Sequence, residues 1–103
     1  MATNKIFVWV KEPGKKPRHV WISNSLKALQ TTVGGSIECY PIGDGRIIIC
    51  NEEGKILDLP YNFRGFGQDF VGTVIFCGVD GEDFVDFPGT NAEMHRMFGG
   101  TAE

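Results

Sequence analysis

Three consecutive isoleucines, Ile47, Ile48 and Ile49, run between Arg46 and Cys50. So β-branched a run favours an extended strand, and neighbouring side chains on a strand point to opposite faces. Isoleucine must therefore leave water on both sides, which makes this a central strand of a sheet covered on both faces. Residues 71–79, VGTVIFCGV, read as a second strand of the same kind. A chain of 103 residues has room for one domain, and its 42% hydrophobic content against 22% charge is too apolar for a disordered segment. Leu29, Ile48, Cys50 and Phe76 are expected to meet at the centre of a single core.

The rest of the chain supplies neighbours for these strands. Residues 5–10, KIFVWV, and RHVWI from Arg18 flank the turn EPGKKP and predict a β-hairpin. Its two faces are both partly apolar, so the face bearing Phe7 and Trp9 is expected to pair two copies of the chain in a homodimer. Ser23 or Asn24 can cap a helix of about three turns with Leu26, Leu29 and Val33 on one side and Gly34 at its end. SIECYPI and RIIIC flank a GDG turn as a second hairpin, NEEGK turns the chain again, and FVDF at 84–87 returns on the strand before it. Thr90 and Glu93 have the spacing of a capping box for a short terminal helix with Met94, Met97 and Phe98 on one side. The sum is an α+β domain spanning residues 1–103, an antiparallel or mixed sheet of about six strands with one main helix and a short C-terminal one.

Charge is unevenly placed. Residues 1–30 carry Lys5, Lys11, Lys15, Lys16, Arg18 and Lys27 against Glu12, whereas the remainder is strongly acidic and brings the net charge to −3. That balance argues against non-specific duplex binding, which needs many phosphate contacts, but leaves room for a local anion site. The three cysteines lie in apolar runs without CxxC spacing and are expected to pack in the interior as free thiols, which fits a reducing cytoplasm. No run is long enough to span a membrane, and the start MATNKIFVWVKEP is too short in apolar residues for a signal peptide.

No pattern for catalysis, metal or cofactor emerges. His19 and His95 have no ligand at i+3 or i+4, Glu52 and Glu53 are adjacent in a turn and point apart, and GDG and VDGED lack the spacing of a calcium loop. Two segments have the chemistry of binding. Residues 61–70, expected as an ordered loop, set Tyr61 and Phe66 beside Asn62, Arg64 and Gln68, which are stacking planes next to planar hydrogen-bonding groups. Lys15, Lys16 and Arg18 gather cations at the first hairpin, fit for a phosphate or an acidic patch.

Four features in order, EPGKKP, SLKALQTTVGGSIE, CNEEGKILDLP with Asn62 shortly after, and GTVIFCGVDGEDF, resemble a family of small uncharacterised proteins of bacterial phages and plasmids, a domain of unknown function. The family's pattern is L-x-x-LQ-x-x-VGG-x-IE, then a NEEGK turn, then a GT-x-x-x-x-G strand. Where the family has Asn directly followed by Arg, Phe63 here separates Asn62 from Arg64. The resemblance implies a mobile-element origin and brings no catalytic residues. It implies a non-enzymatic accessory protein of the host-cell cytoplasm, acting by stoichiometric binding to counter host defence. Its partner would be a host immune protein or nuclease, or a small anionic nucleotide signal. A small enzyme or a nucleic-acid-binding regulatory module is the alternative.

Overall fold

The computed structural model of the protein describes residues 4–102. Strands β1 (Lys5–Lys11) and β2 (Arg18–Ser23) form the first hairpin, with Phe7 opposite Trp21 and Trp9 opposite His19. Helix α1 (Leu26–Val33) follows, eight residues and about two turns rather than three. Its cap is Ser25, whose Oγ accepts from Ala28 N at 3.1 Å, because Ser23 still belongs to β2 and the Asn24 amide instead donates to the Phe84 carbonyl at 3.0 Å. Gly34 ends the helix with φ 84°, a conformation glycine adopts without steric cost.

β3 (Ile37–Gly43) and β4 (Arg46–Asn51) make the second hairpin, and β7 (Val74–Asp80) and β8 (Asp83–Val85) the last. Between them the segment expected as a loop is itself a hairpin, β5 (Tyr61–Gly65) with β6 (Gln68–Val71). Helix α2 (Asn91–Phe98) closes the series, with Thr90 and Glu93 in the expected capping box. The fold is α+β. The main sheet has six antiparallel strands in the order β2-β1-β7-β4-β3, with β8 paired to β7. β1 holds β7 only at Val74–Phe76, and β8 takes up Gly78–Asp80. The chain after β8 then reaches β1, where Phe87 N donates to Phe7 O and Phe7 N to Asp86 Oδ1, both at 2.9 Å.

Both faces of the sheet are covered, as the isoleucines require, but by different elements, so the interior is two cores. On one face Leu29 and Val33 of α1 pack on Ile6, Val8, Val10, Ile47, Ile49, Ile75 and Cys77. On the other, Phe63 and Phe70 of the β5–β6 ribbon, with Phe87 and Met94, cover Trp9, Ile48, Cys50, Val74 and Phe76. Leu29, Ile48, Cys50 and Phe76 are all buried as expected, yet Leu29 is separated from the other three by the sheet.

Two expectations change with this arrangement. Trp9 is only 2% exposed within one chain, so the dimer face built on Phe7 and Trp9 loses its larger ring to the core; Trp21 is the exposed aromatic of that hairpin. Cys39 lies on the edge strand β3, where the cover of the sheet ends, and is exposed, whereas Cys50 and Cys77 are buried. Ile56 and Leu57 stay in the solvent-facing turn between β4 and β5. Among the described residues no helix is long and apolar enough to cross a membrane.

Candidate functional site, an arginine-lined cleft

The β5–β6 ribbon is anchored by its aromatics. Phe63 sits opposite Phe70 with ring centroids 4.8 Å apart, and the Phe98 ring meets Phe63 edge-on at 5.0 Å, so α2 and the ribbon share one apolar seam. On the next rung Arg64 faces Asp69 across the ribbon, NH1 to Oδ1 at 3.1 Å. The turn between Gly65 and Gln68 consists of Phe66 and Gly67, with φ of 52° and 82°. Two positive φ angles are those of the hairpin turn that normally selects Asn-Gly or Gly-Gly. A phenylalanine in the first of these positions is sterically costly, yet its ring is not in the core but 39% exposed. The turn is held by β3: Tyr40 Oη donates to the Phe66 carbonyl at 2.8 Å, and its ring meets Phe70 edge-on.

Helix α2 faces this tip. Its capping box uses Glu93, whose Oε1 accepts from Thr90 N at 3.4 Å while Oε2 accepts from Arg46 NH1. Arg46, at the start of β4, also donates from Nε to Gly43 O at 3.1 Å and lies 3.7 Å from Asp44. Glu93, Arg96 and Met97 fall at i, i+3 and i+4 and therefore share one face of the helix. Between that face and the ribbon lies a cleft of ≈ 360 Å³ lined by Arg46, Phe63, Arg64, Gly65, Phe66, Glu93, Arg96 and Met97. Three guanidinium groups and one carboxylate thus surround an apolar floor. Among the described residues Arg96 has no ion pair, while Arg46 is held by two carboxylates.

Of the residues expected to bind, Arg64 and Phe66 line this cleft. Tyr61 is exposed at the start of β5, opposite Val71 and outside the cleft. Gln68 opens instead on a separate hollow with Glu38, Asn51, Lys55 and Asp69. Asn62 lies inside the fold rather than in the cleft. It is buried, its Nδ2 donates to the carbonyls of Lys11 at 2.8 Å and Gly72 at 2.7 Å, and its Oδ1 accepts from Lys11 Nζ at 2.8 Å. In the first hairpin Glu12 lies 3.5 Å from Lys15 and 3.2 Å from Arg18, and Lys16 donates to Gly99 O at the end of α2 at 3.4 Å. These cations are exposed, and they do not reach the cleft.

Arg46, Arg96, Glu93 and Met97 were not singled out as binding residues by sequence. The i, i+3, i+4 spacing in α2 was the available signal for the last three; Arg46 offered none.

Other reactive groups are subdued by burial. It pushes the Cys50 thiol up to about 11 and Cys77 up to about 12, while partial desolvation and the neighbouring Glu38 carboxylate raise the exposed Cys39, so none is a ready thiolate. His19 is stacked between Phe7 at 3.5 Å and Trp9 at 4.2 Å, and burial lowers its pKa against the opposing pull of Asp86. Among the described residues no three or more His, Cys, Asp or Glu side chains are grouped to hold a metal.

No curated protein and no solved structure matches the chain. The family described as "Domain of unknown function (DUF3846)" matches residues 5–99, nearly the whole domain, and the chain belongs to that family.

Proposed function

We propose that the protein acts by stoichiometric binding of an anionic partner in the cleft between the β5–β6 ribbon and α2. The observation that carries this reading is that Arg64 and Arg96 line one cleft with the exposed Phe66 and Met97, while Arg46 is held by Glu93. Guanidinium groups make paired, charge-assisted bonds to phosphate or carboxylate, and the apolar floor favours a ligand with a planar or hydrophobic part. The biological setting we propose is that of a phage or plasmid accessory protein that counters host defence. Within it, a small nucleotide signal suits the cleft better than a host immune protein or nuclease. At ≈ 360 Å³ the cleft is near the lower end of small-molecule sites, about 300–1,000 Å³.

Native mass spectrometry of the protein purified from defence-expressing bacteria tests this. A retained small mass, lost in Arg96→Gln, is the expected result. A retained host polypeptide instead assigns the face to protein blocking. Bare protein, or a retained mass that Arg96→Gln leaves in place, overturns the cleft as the binding surface.

A further inference from the structure

The three cations of the cleft are not equivalent. Arg46 is already matched by Glu93 and Asp44, so it adds little net positive charge. Arg96, about one turn beyond Glu93 on the same face of α2, is exposed and without an ion pair among the described residues. Arg64 is 63% exposed and bound only to a half-exposed Asp69, a pair that solvent screens. An anionic group therefore belongs beside Arg64 and Arg96, and a hydrogen-bond donor of the same ligand toward Glu93.

Phe66 supplies the third element. Natural hairpin tips of this kind carry Asn or Gly, and the backbone strain of a phenylalanine there persists only because Tyr40 and the ribbon hold the turn. A ring placed at that cost and left 39% exposed offers a flat apolar face to the cleft, which the Met97 side chain, also 39% exposed, lines as well. Exposed aromatic rings of this sort stack on nucleobases of any identity.

Resting on the reading of the cleft as the binding surface, we infer that its ligand is a single nucleoside monophosphate unit. Its phosphate is held by Arg64 and Arg96, its base is stacked on Phe66, and its sugar hydroxyls or exocyclic amine point toward Glu93. A cleft of ≈ 360 Å³ suits a ligand of about one nucleotide. Arg46 takes no part in phosphate binding; it positions Glu93.

Calorimetric titration of the full chain with AMP, GMP, CMP and UMP, with adenosine, with inorganic phosphate and with an oligoglutamate peptide tests the assignment. The expected result is that at least one monophosphate binds about tenfold or more tightly than adenosine or phosphate, since each lacks one half of the recognition. Arg96→Gln should weaken that binding about tenfold and reduce its salt dependence. Phe66→Asn should weaken it by a similar factor while raising the melting temperature, a combination that a merely structural Phe66 would not give. A monophosphate that binds no better than inorganic phosphate leaves an anion site but overturns the nucleotide. Oligoglutamate binding that depends on Arg96, without nucleotide binding, also overturns it and returns the cleft to a protein partner. No binding by any of these probes overturns both this inference and the cleft as an anion-binding surface.

Discussion

Lys11 and Asn62, fifty-one residues apart, are joined reciprocally: Lys11 Nζ donates to Asn62 Oδ1 and Asn62 Nδ2 donates to the Lys11 carbonyl, both at 2.8 Å. No carboxylate pairs with this ammonium among the described residues. It is satisfied by the amide, by Glu12 O at 3.2 Å and by the face of the Phe98 ring at 5.3 Å. Asn62→Ala leaves the ammonium and two buried carbonyls short of partners and should cost about 3 kcal/mol or more. Lys11→Met keeps the packed stem, removes the buried charge and should cost less. Urea denaturation of the two variants checks the order; Lys11→Met as the more damaging change would show that the charge itself holds the strands together.

The titration of His19 gives a pH window. Burial holds its folded pKa below the ordinary 6.5, with Asp86 opposing, so the unfolded chain binds its proton first as pH falls. Stability from this group is complete above 6.5 and declines as pH drops from 6.5 through the lower folded value. His19→Phe keeps a ring between Phe7 and Trp9 and should flatten the loss of melting temperature between pH 7 and pH 5. Parallel curves for the two proteins would place the acid sensitivity elsewhere. Lys11, whose pKa burial lowers from 10.5, gives a slope of the same sign on the alkaline side below 10.5.

Replacing Phe66 by Asn removes a ring from a strained turn position and introduces a residue that tolerates it. The fold should gain about 1 kcal/mol. A loss in the denaturation midpoint would mean that the ring's contacts with the ribbon outweigh the strain.

Leu29 and Phe76 lie on opposite faces of the sheet. Leu29→Ala should cost about 2–5 kcal/mol and Phe76→Ala about 3–5 kcal/mol. Because the two cavities share no lining, the double variant, measured on a background stable enough to remain folded, should equal the sum within about 0.5 kcal/mol. A larger coupling would mean that the two cores relax through the sheet as one.

Arg64→Ala removes an exposed ion pair and should change stability by about 1 kcal/mol or less while weakening ligand binding. Thermal melts and titrations on the one variant separate the roles; lost stability with unaltered affinity would make Arg64 an anchor of the ribbon.

The sheet was legible where local pattern and tertiary burial agree. Ile47–Ile49 announced a strand covered on both sides, and Thr90 with Glu93 announced a helix start, because each signal is contained within a few residues. The β5–β6 ribbon was hidden for two physical reasons. A register shift between Tyr61 and Phe63 breaks the period of two, and Phe66 stands where a hairpin would show Asn or Gly. Arg64 and Phe66 were visible as binding chemistry, but Arg46 and Arg96 reach the same cleft only because α2 packs against the sheet. An amide beside aromatics looks alike in sequence whether it faces a ligand or a buried lysine, and the partners of Asn62 are Lys11 and Gly72.

The strand order has a kinetic consequence. β7 is flanked by β1 and β4, so it is the piece that unites the first two hairpins, and it follows both of them in the chain. During synthesis the β1–β2 and β3–β4 hairpins emerge with their inner edges unpaired and their isoleucines uncovered, and neither can complete a sheet until β7 inserts between them. Completion of the sheet thus waits on long-range pairing by a late strand, a topology that slows folding and leaves strand edges open until β7 is in place.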